Sequence, residues 1–457
     1  MRKIMTYRQH MRAVLTLGLP LVGGHLAQVA IGITDTVMVG WYGIEALAAV
    51  TLGSTFFFVL FIFGSGFAWA VMPLVASFYA EGDETGIRRA TRMGLWLSLG
   101  FAILAMPVMI WSEAILRLLG QSETLAVAAG SYLRVAGLGI LPALLVMVMK
   151  SYLAALERTQ VVFWITVMSA IVNGLANYAL IFGNWGAPEL GIIGAALASV
   201  ATHGVALVGI VIYARLALPH HALFQRLWRL DRQMLARVFK LGWPISFTVL
   251  SEVGLFAASA LMMGWLGTVP LAAHGIALQL ASITFMVHMG LSNAATIRAG
   301  NAYGRRDPAH MEKGARVVTL MSLAMAVATI AVFVTVPEPL ISVFMQSDEP
   351  QRPQILAIGT GLLAMAALFQ LVDGAQVIAL GLLRGVQDTR VPMVLAAVSY
   401  WVVGIPCSYY FGFRLEMGGI GVWLGLVVGL GLASVLLSAR FWGATLRKLK
   451  REVSVVA

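Results

Sequence analysis

Twelve apolar runs follow one another along the chain, near residues 13–40, 47–79, 92–112, 124–149, 160–183, 190–215, 237–264, 270–302, 315–337, 353–384, 391–413 and 418–443. Each is long enough to cross a hydrocarbon layer of about 30 Å, which takes about 20 helical residues. Inside lipid the backbone must satisfy its own hydrogen bonds, so only helices and closed barrels can span it. The alternating apolar and polar strands of a barrel are absent from the sequence. With 60% hydrophobic and 11% charged residues, the composition also lies far from that of a soluble domain. The expected fold is an all-α integral membrane protein of twelve helices.

A net charge of +11 invites a nucleic-acid reading, but the placement of Lys and Arg explains it otherwise. With the N-terminus on the cytoplasmic side, the inner segments are basic throughout, from Arg8 and Arg12 through Arg226, Arg229 and Arg232 to Arg447, Lys448, Lys450 and Arg451. Only Arg117, Arg134, Arg352 and Arg414 of the 31 basic residues fall on the other side. Such a bias is the positive-inside rule, and it predicts that both termini face the cytoplasm, with no nucleic-acid partner. "MRKIMTYRQHMR" resembles the basic region of a signal peptide. The run behind it is too long and lacks a small-residue cleavage site, so a retained first helix is expected. The single cysteine, Cys407, excludes a disulfide framework and a cysteine metal site. His25, His203, His274 and His288 fall within spans, where hydrogen-bonded packing is expected rather than chemistry.

An internal repeat supplies the architecture. A shift of 224 residues lays "LGLP" (17–20) on "LGWP" (241–244), "MVGW" (38–41) on "MMGW" (262–265), Tyr79 on Tyr303 and Asp83 on Asp307. At slightly different shifts Thr159 matches Thr389, and "ELGIIG" (189–194) matches "EMGGIG" (416–421). Each half holds six spans, and because six is even the two halves enter the membrane from the same side as parallel repeats. The predicted plan is an N-lobe at 1–215, a basic cytoplasmic linker at 216–236 and a C-lobe at 237–457, two six-helix bundles around a central cleft. Trp228 and the linker arginines suit a lipid headgroup environment. Two such bundles are a transporter plan. No lysine stands in a G-x-x-x-x-G-K-[ST] pattern, so no P-loop engine is encoded here.

The acids narrow the chemistry. Nearly all of the 20 Asp and Glu sit in loops or at helix ends, and the exceptions are Asp35, Glu252 and Asp373. A charge at the bilayer centre costs roughly 2.5–3.5 kcal/mol on insertion scales, and no Lys or Arg is expected at comparable depth to pair with these three. Under the 224 shift Gln28 overlays Glu252 and Asp35 overlays Ser259. Gln28 and Asp35 are seven apart, hence on one helical face. Each half therefore carries a polar stripe at two depths with its acid at a different level, as two lobes specialised for different ligands would.

These features together resemble the multidrug and toxic compound extrusion family, most closely its NorM branch. The residues that carry the resemblance are "TDTVMVGWYG" in the first span, "PISFTVLSEVG" in the seventh and "FQLVDGAQVIALGLLRGVQDT" in the tenth, and the likeness extends over essentially the whole chain. It implies a V-shaped pair of six-helix lobes in a bacterial cytoplasmic membrane, working as a monomer and exporting cationic, often aromatic drugs in exchange for inward Na+ or H+. By the same resemblance Glu252 and Asp373 match the coupling-cation site, and Asp35 the first-lobe acid, with Asn173, Asn177, Thr202 and Gln28 as its polar neighbours. No cofactor beyond the coupling ion is implied.

The chemistry of these side chains agrees. Na+ is a hard cation that seeks oxygen ligands, and a buried carboxyl group in general favours its protonated form, so the same acids suit either ion. Asn173 and Asn177 are four apart on one face, where other prokaryotic relatives place a second acid. Phe56, Phe57, Phe58, Phe285, Met286 and Met289 offer aromatic and thioether surface to a flat cation. Packing or lipid contact is the commoner use of such residues. Asp348 and Glu349 stand in the loop before the tenth span, where some relatives hold drug with acids, although a solvated loop charge is the simpler reading. The rival from another class is a flippase for lipid-linked oligosaccharide precursors. A diphosphate would call for Lys or Arg inside the cleft, where acids are expected instead.

Overall fold

A computed structural model describes residues 5–346 and 349–456. Among these residues twelve helices are long and apolar enough to cross a membrane: α1 (Tyr7–Tyr42), α2 (Ile44–Glu81), α3 (Glu84–Ile110), α4 (Glu123–Ala155), α5 (Thr159–Phe182), α6 (Gly191–Ala217), α7 (Arg232–Leu266), α8 (Thr268–Gly304), α9 (Pro308–Thr335), α10 (Arg352–Gly385), α11 (Arg390–Arg414) and α12 (Gly418–Ser454). The expected count is met, and the helices run past the apolar core at several ends, α1, α2, α7 and α8 most of all. Short helices at Ser112–Leu118 and Pro337–Ser342 stand between α3 and α4 and between α9 and α10. A 3-10 turn at Gly137–Gly139 interrupts α4. Stretches of π-helix lie in α11 at Val398–Gly404 and Tyr410–Arg414, and in α12 at Arg440–Thr445.

The sequence repeat reappears in the backbone. Asp83 and Asp307, aligned by the 224 shift, are both helix N-caps: Asp83 accepts from the Gly86 N–H at 2.8 Å and Asp307 from the His310 N–H at 2.9 Å. Gly191 and Gly418, aligned through the "ELGIIG" match, both sit in the left-handed region with φ of 54° and 57°. L-residues with a Cβ rarely adopt that region. The same pairing holds for Glu157 and Gln387, with φ of 62° and 63° ahead of α5 and α11.

By contacts the chain divides into two compact units, one of residues up to Val22 together with those from Phe247 onward, the other of Gly23–Ser246. The dividing points, Val22 and Ser246, are themselves 224 residues apart, and each follows a proline inside its helix, Pro20 in α1 and Pro244 in α7. Proline removes one backbone hydrogen bond and loosens the helix there. The first turns of α1 pack in the unit of α8–α12, where a Cβ on Gly290 would lie 2.4 Å from Val22. The first turns of α7 pack in the unit of α2–α6, where the Ser246 hydroxyl donates to the Phe63 carbonyl at 2.6 Å. The contact units therefore differ from the sequence halves, and the segment 216–236 lies inside one of them.

That segment is pinned to α3. Arg92 donates to the carbonyls of Leu223 and Ala222 at 2.7 and 2.6 Å, Trp96 donates to that of Leu227 at 2.7 Å, and Arg89 pairs with Asp231. Tyr152 hydroxyl and His221 Nδ1 add a buried hydrogen bond of 2.6 Å. Trp228 stays exposed.

Close packing inside each unit rests on small residues, as in membrane bundles generally. On α12, Gly421, Gly425 and Gly429 recur every fourth residue against α11. A Cβ on Gly421 would lie 2.5 Å from the Phe411 backbone, one on Gly425 2.1 Å from Ser408 N, and one on Gly429 2.8 Å from Gly404 Cα. Gly194 meets the Leu180 carbonyl oxygen at 2.2 Å in the same way, and it is the repeat mate of Gly421.

Candidate functional site

In the 23–246 unit, α1 leaves one apolar stripe for a polar one. Gln28, Ile31, Gly32 and Asp35 line a cavity of about 340 Å³ with Ser54, Phe57 and Phe58 of α2, Tyr132 and Lys150 of α4, Asn173 of α5, and Thr202 and His203 of α6. Asn173 and Asn177, both buried, donate from Nδ2 to Asp35 Oδ1 at 3.0 and 2.6 Å. Oδ2 accepts no hydrogen bond from the described residues. The four-residue spacing of the asparagines delivers both amides to one oxygen, as the helical period requires. Thr202 lines the cavity but spends its hydroxyl on the Ala198 carbonyl at 2.7 Å. Tyr132 bears on Gly53, where a Cβ would come within 2.6 Å of its ring, and its hydroxyl lies 3.3 Å from Ser54 Oγ.

The second group of acids lies in the other unit. Glu252 of α7 and Asp373 of α10 are electrostatic neighbours, and Tyr400 of α11 is within reach of both. Asp373 is 2% exposed, and Gln370, Gln376 and Tyr400 are fully buried. Gln376 Nε2 donates to the Tyr400 hydroxyl at 2.6 Å and Gln370 Nε2 to the Ala281 carbonyl at 3.0 Å. Their other oxygens, Gln376 Oε1 and Gln370 Oε1, and Asp373 Oδ1 are buried with no hydrogen-bond donor. Buried polar atoms are nearly always satisfied, so several orphaned oxygens on one helix mark a place that awaits a cation or a proton.

The sequence expectation that these acids lack basic neighbours is corrected here. Arg384, assigned to a cytoplasmic end, stands inside α10 and interacts electrostatically with Glu252. Lys150, assigned likewise, faces the Asp35 cavity. A linear count of apolar residues ranks such a residue as a helix end, because it does not register which face of the helix points inward. The premise used against a diphosphate substrate, that no lysine enters the cavity, falls with it.

Of the remaining candidates, Phe57 and Phe58 reach the cavity and Phe56 packs against the core beneath it. Phe285, Met286 and Met289 are half-buried on α8, away from the Asp35 cavity. Asp348 lies outside the described residues, and Glu349 is an exposed loop residue whose carboxylate accepts from the Gln351 N–H. Two of the four span histidines have packing partners as expected: His274 Nδ1 accepts from Trp423 Nε1 at 3.0 Å, and His288 Nδ1 lies 2.8 Å from Ser322 Oγ. Sequence reasoning missed Tyr400, Gln370, Gln376, Tyr132, Lys150 and His203. The triplet spacing of Gln370, Asp373 and Gln376 in "FQLVDGAQV" was a readable signal, since three polar residues at that period share one side of a helix.

Two lobes of similar backbone, one with a carboxylate-lined cavity and one with a buried acid pair, define a membrane transporter. The MatE family model matches residues 20–179 and 244–410, and the chain belongs to that family. Among curated relatives, proteins described as "Probable multidrug resistance protein NorM" from Agrobacterium fabrum and Rhizobium meliloti are each 44% identical, over 96% and 97% of this chain and 95% of theirs. Among solved structures, a MATE in the bent conformation superposes with a TM-score of 0.87 at 19% identity, covering 99% of this chain and 100% of that one. The eukaryotic MATE transporter AtDTX14 superposes at 0.83 and 18%, covering 98% and 99%. These likenesses bear on the fold. The second family match begins at Pro244, 224 residues after the first begins at Pro20.

Proposed function

We propose that the protein is a secondary multidrug antiporter of the bacterial cytoplasmic membrane, exporting cationic, often aromatic drugs in exchange for inward Na+ or H+. The resistance role named for its relatives supports the drug half of this reading. The ion half rests on the charge and oxygen inventory around Glu252. Two carboxylates, Glu252 and Asp373, face one guanidinium, Arg384, which leaves one negative charge uncompensated. One monovalent cation balances it, and Asp373 Oδ1 and Gln376 Oε1 are oxygens of the kind a hard cation prefers. A proton on either acid balances it equally.

In this mechanism Asp35 and the Phe57 and Phe58 rings hold the drug, with Asn173 and Asn177 fixing the carboxylate from behind. The cation binds in the other unit. Each ligand favours a different arrangement of the molecule, so the two exclude one another through an alternating-access equilibrium. The test is ethidium efflux from proteoliposomes, under a Na+ gradient at constant pH and under a pH gradient without Na+. Na+-driven efflux that disappears in Glu252→Gln and in Asp373→Asn supports sodium antiport. Efflux driven by the pH gradient alone assigns those acids to protons. Absence of efflux under both gradients overturns the antiporter reading.

A further inference from the structure

The cavity that holds Asp35 also holds an ammonium group the transport cycle above does not use. Lys150 lines it from α4, one turn beyond Val146, which lines it too. Among the described residues the ammonium makes no hydrogen bond and no ion pair. A lysine near a helix end commonly snorkels along lipid toward water. This one points inward, with buried Met149, Ser151 and Tyr152 around it in sequence. An intramembrane charge without a partner is expensive and marks function by default.

Its surroundings reinforce the charge. His203, next to Thr202 on α6, lines the same cavity. His203 and His25 of α1 both lie within electrostatic reach of Lys150. Asp35 is not the counterion. It is ten residues beyond His25 on α1, about 15 Å along the axis, and its carboxylate is occupied by the two asparagines. The cavity is thus basic at one end, acidic at the other and lined by Phe57, Phe58 and Tyr132 between them.

We infer that this cavity takes zwitterions, a flat aromatic body whose cationic end meets Asp35 and whose carboxylate meets Lys150. The inference rests on the reading of the cavity as the drug site and adds a substrate class to it. A lysine is a compact point charge suited to a single carboxylate. A plain cation satisfies Asp35 and leaves Lys150 unpaired, whereas a zwitterion satisfies both. The cavity then has no net charge to shed when the drug leaves, unlike the group around Glu252.

A matched pair of dyes separates the cases: rhodamine 110, which has a free carboxylate, and rhodamine 123, its methyl ester. Binding to purified full-length protein is read by fluorescence polarisation. Lys150→Met is expected to weaken rhodamine 110 by about tenfold or more and to leave rhodamine 123 unchanged. Lys150→Arg is expected to retain rhodamine 110, which also guards against a folding defect in the Met variant. Equal weakening of both dyes, or of neither, in Lys150→Met overturns the inference while the drug-site reading stands. Failure of wild type to bind either dye, or indifference of both to Asp35→Asn, overturns the drug-site reading and this inference with it. Displacement of rhodamine 110 by pyrophosphate but not by acetate overturns the carboxylate assignment in favour of a diphosphate ligand.

Discussion

Tyr400 and Gln376 are buried together, and a single 2.6 Å hydrogen bond from the Gln376 amide to the phenol joins them. Removing one partner leaves the other desolvated and unpaired, which costs about 1–3 kcal/mol, whereas replacing both with apolar groups of similar shape is close to neutral. Tyr400→Phe is therefore expected to lower the melting temperature in detergent, and the double variant Tyr400→Phe with Gln376→Met to recover most of it. If Gln376 Oε1 helps to hold the coupling ion, the double variant regains stability without regaining the stabilisation that wild type gains from added Na+, which follows from mass action on the folded state. A double variant still stabilised by Na+ to the wild-type extent removes Gln376 from the ion site. At this scale the sequence showed the three acids and the asparagine pair, because ionisable and amide groups stand out in apolar runs. It did not show Tyr400 or Lys150, because an aromatic or a helix-end lysine is unremarkable until the face it presents is known.

Between residues and the whole lie the helix contacts. The glycines of α12 allow α11 to approach until backbones touch, and Gly425 has the least room, with Ser408 N only 2.1 Å from a modest Cβ. Gly425→Ala is expected to cost on the order of 1–3 kcal/mol by overpacking. Gly209→Ala on α6, where nothing lies within 4 Å, is expected to gain about 0.5–1 kcal/mol from helix propensity. Thermal unfolding of the two variants checks the opposite signs. The linker contact is weaker and depends on pH. The hydrogen bond from Arg89 holds the Asp231 carboxyl below its usual 3.8, helped by the Met234 N–H. A depressed folded value means the contribution is complete above the unfolded value and is lost as pH falls through the folded one. With side chains 40% and 25% exposed, the pair contributes at most about 1 kcal/mol. Hydrogen exchange of residues 219–231 is expected to be steady from about pH 7 to 5 and to quicken below about pH 4, with no such acid step in Asp231→Asn. These elements were partly legible: "GVWLGLVVGLG" shows the four-residue glycine period, while the linker's attachment to α3 joins residues some 130 positions apart and leaves no local pattern.

For the molecule as a whole, orientation follows from the distribution of basic residues. In a Cys407→Ser background, Gln225→Cys is expected to react with a membrane-impermeant maleimide only after permeabilisation, and Ser122→Cys in intact spheroplasts. The reverse pattern overturns the assignment of both termini to the cytoplasm. The sequence by itself determined the class of fold, the number of spans and the repeat, because crossing lipid demands long apolar helices and a duplicated chain keeps its spacing. The shared caps at Asp83 and Asp307 and the shared left-handed glycines at Gly191 and Gly418 were implied by that spacing. Only the tertiary structure decided that the first turns of α1 and α7 pack outside their own sequence halves. It alone decided that Lys150 and Arg384 face inward beside acids, and that the oxygens of Asp373 and Gln376 are left without donors. Burial and charge compensation depend on which helix faces meet, and that is fixed by packing among segments far apart in the chain rather than by the order of residues within any one of them.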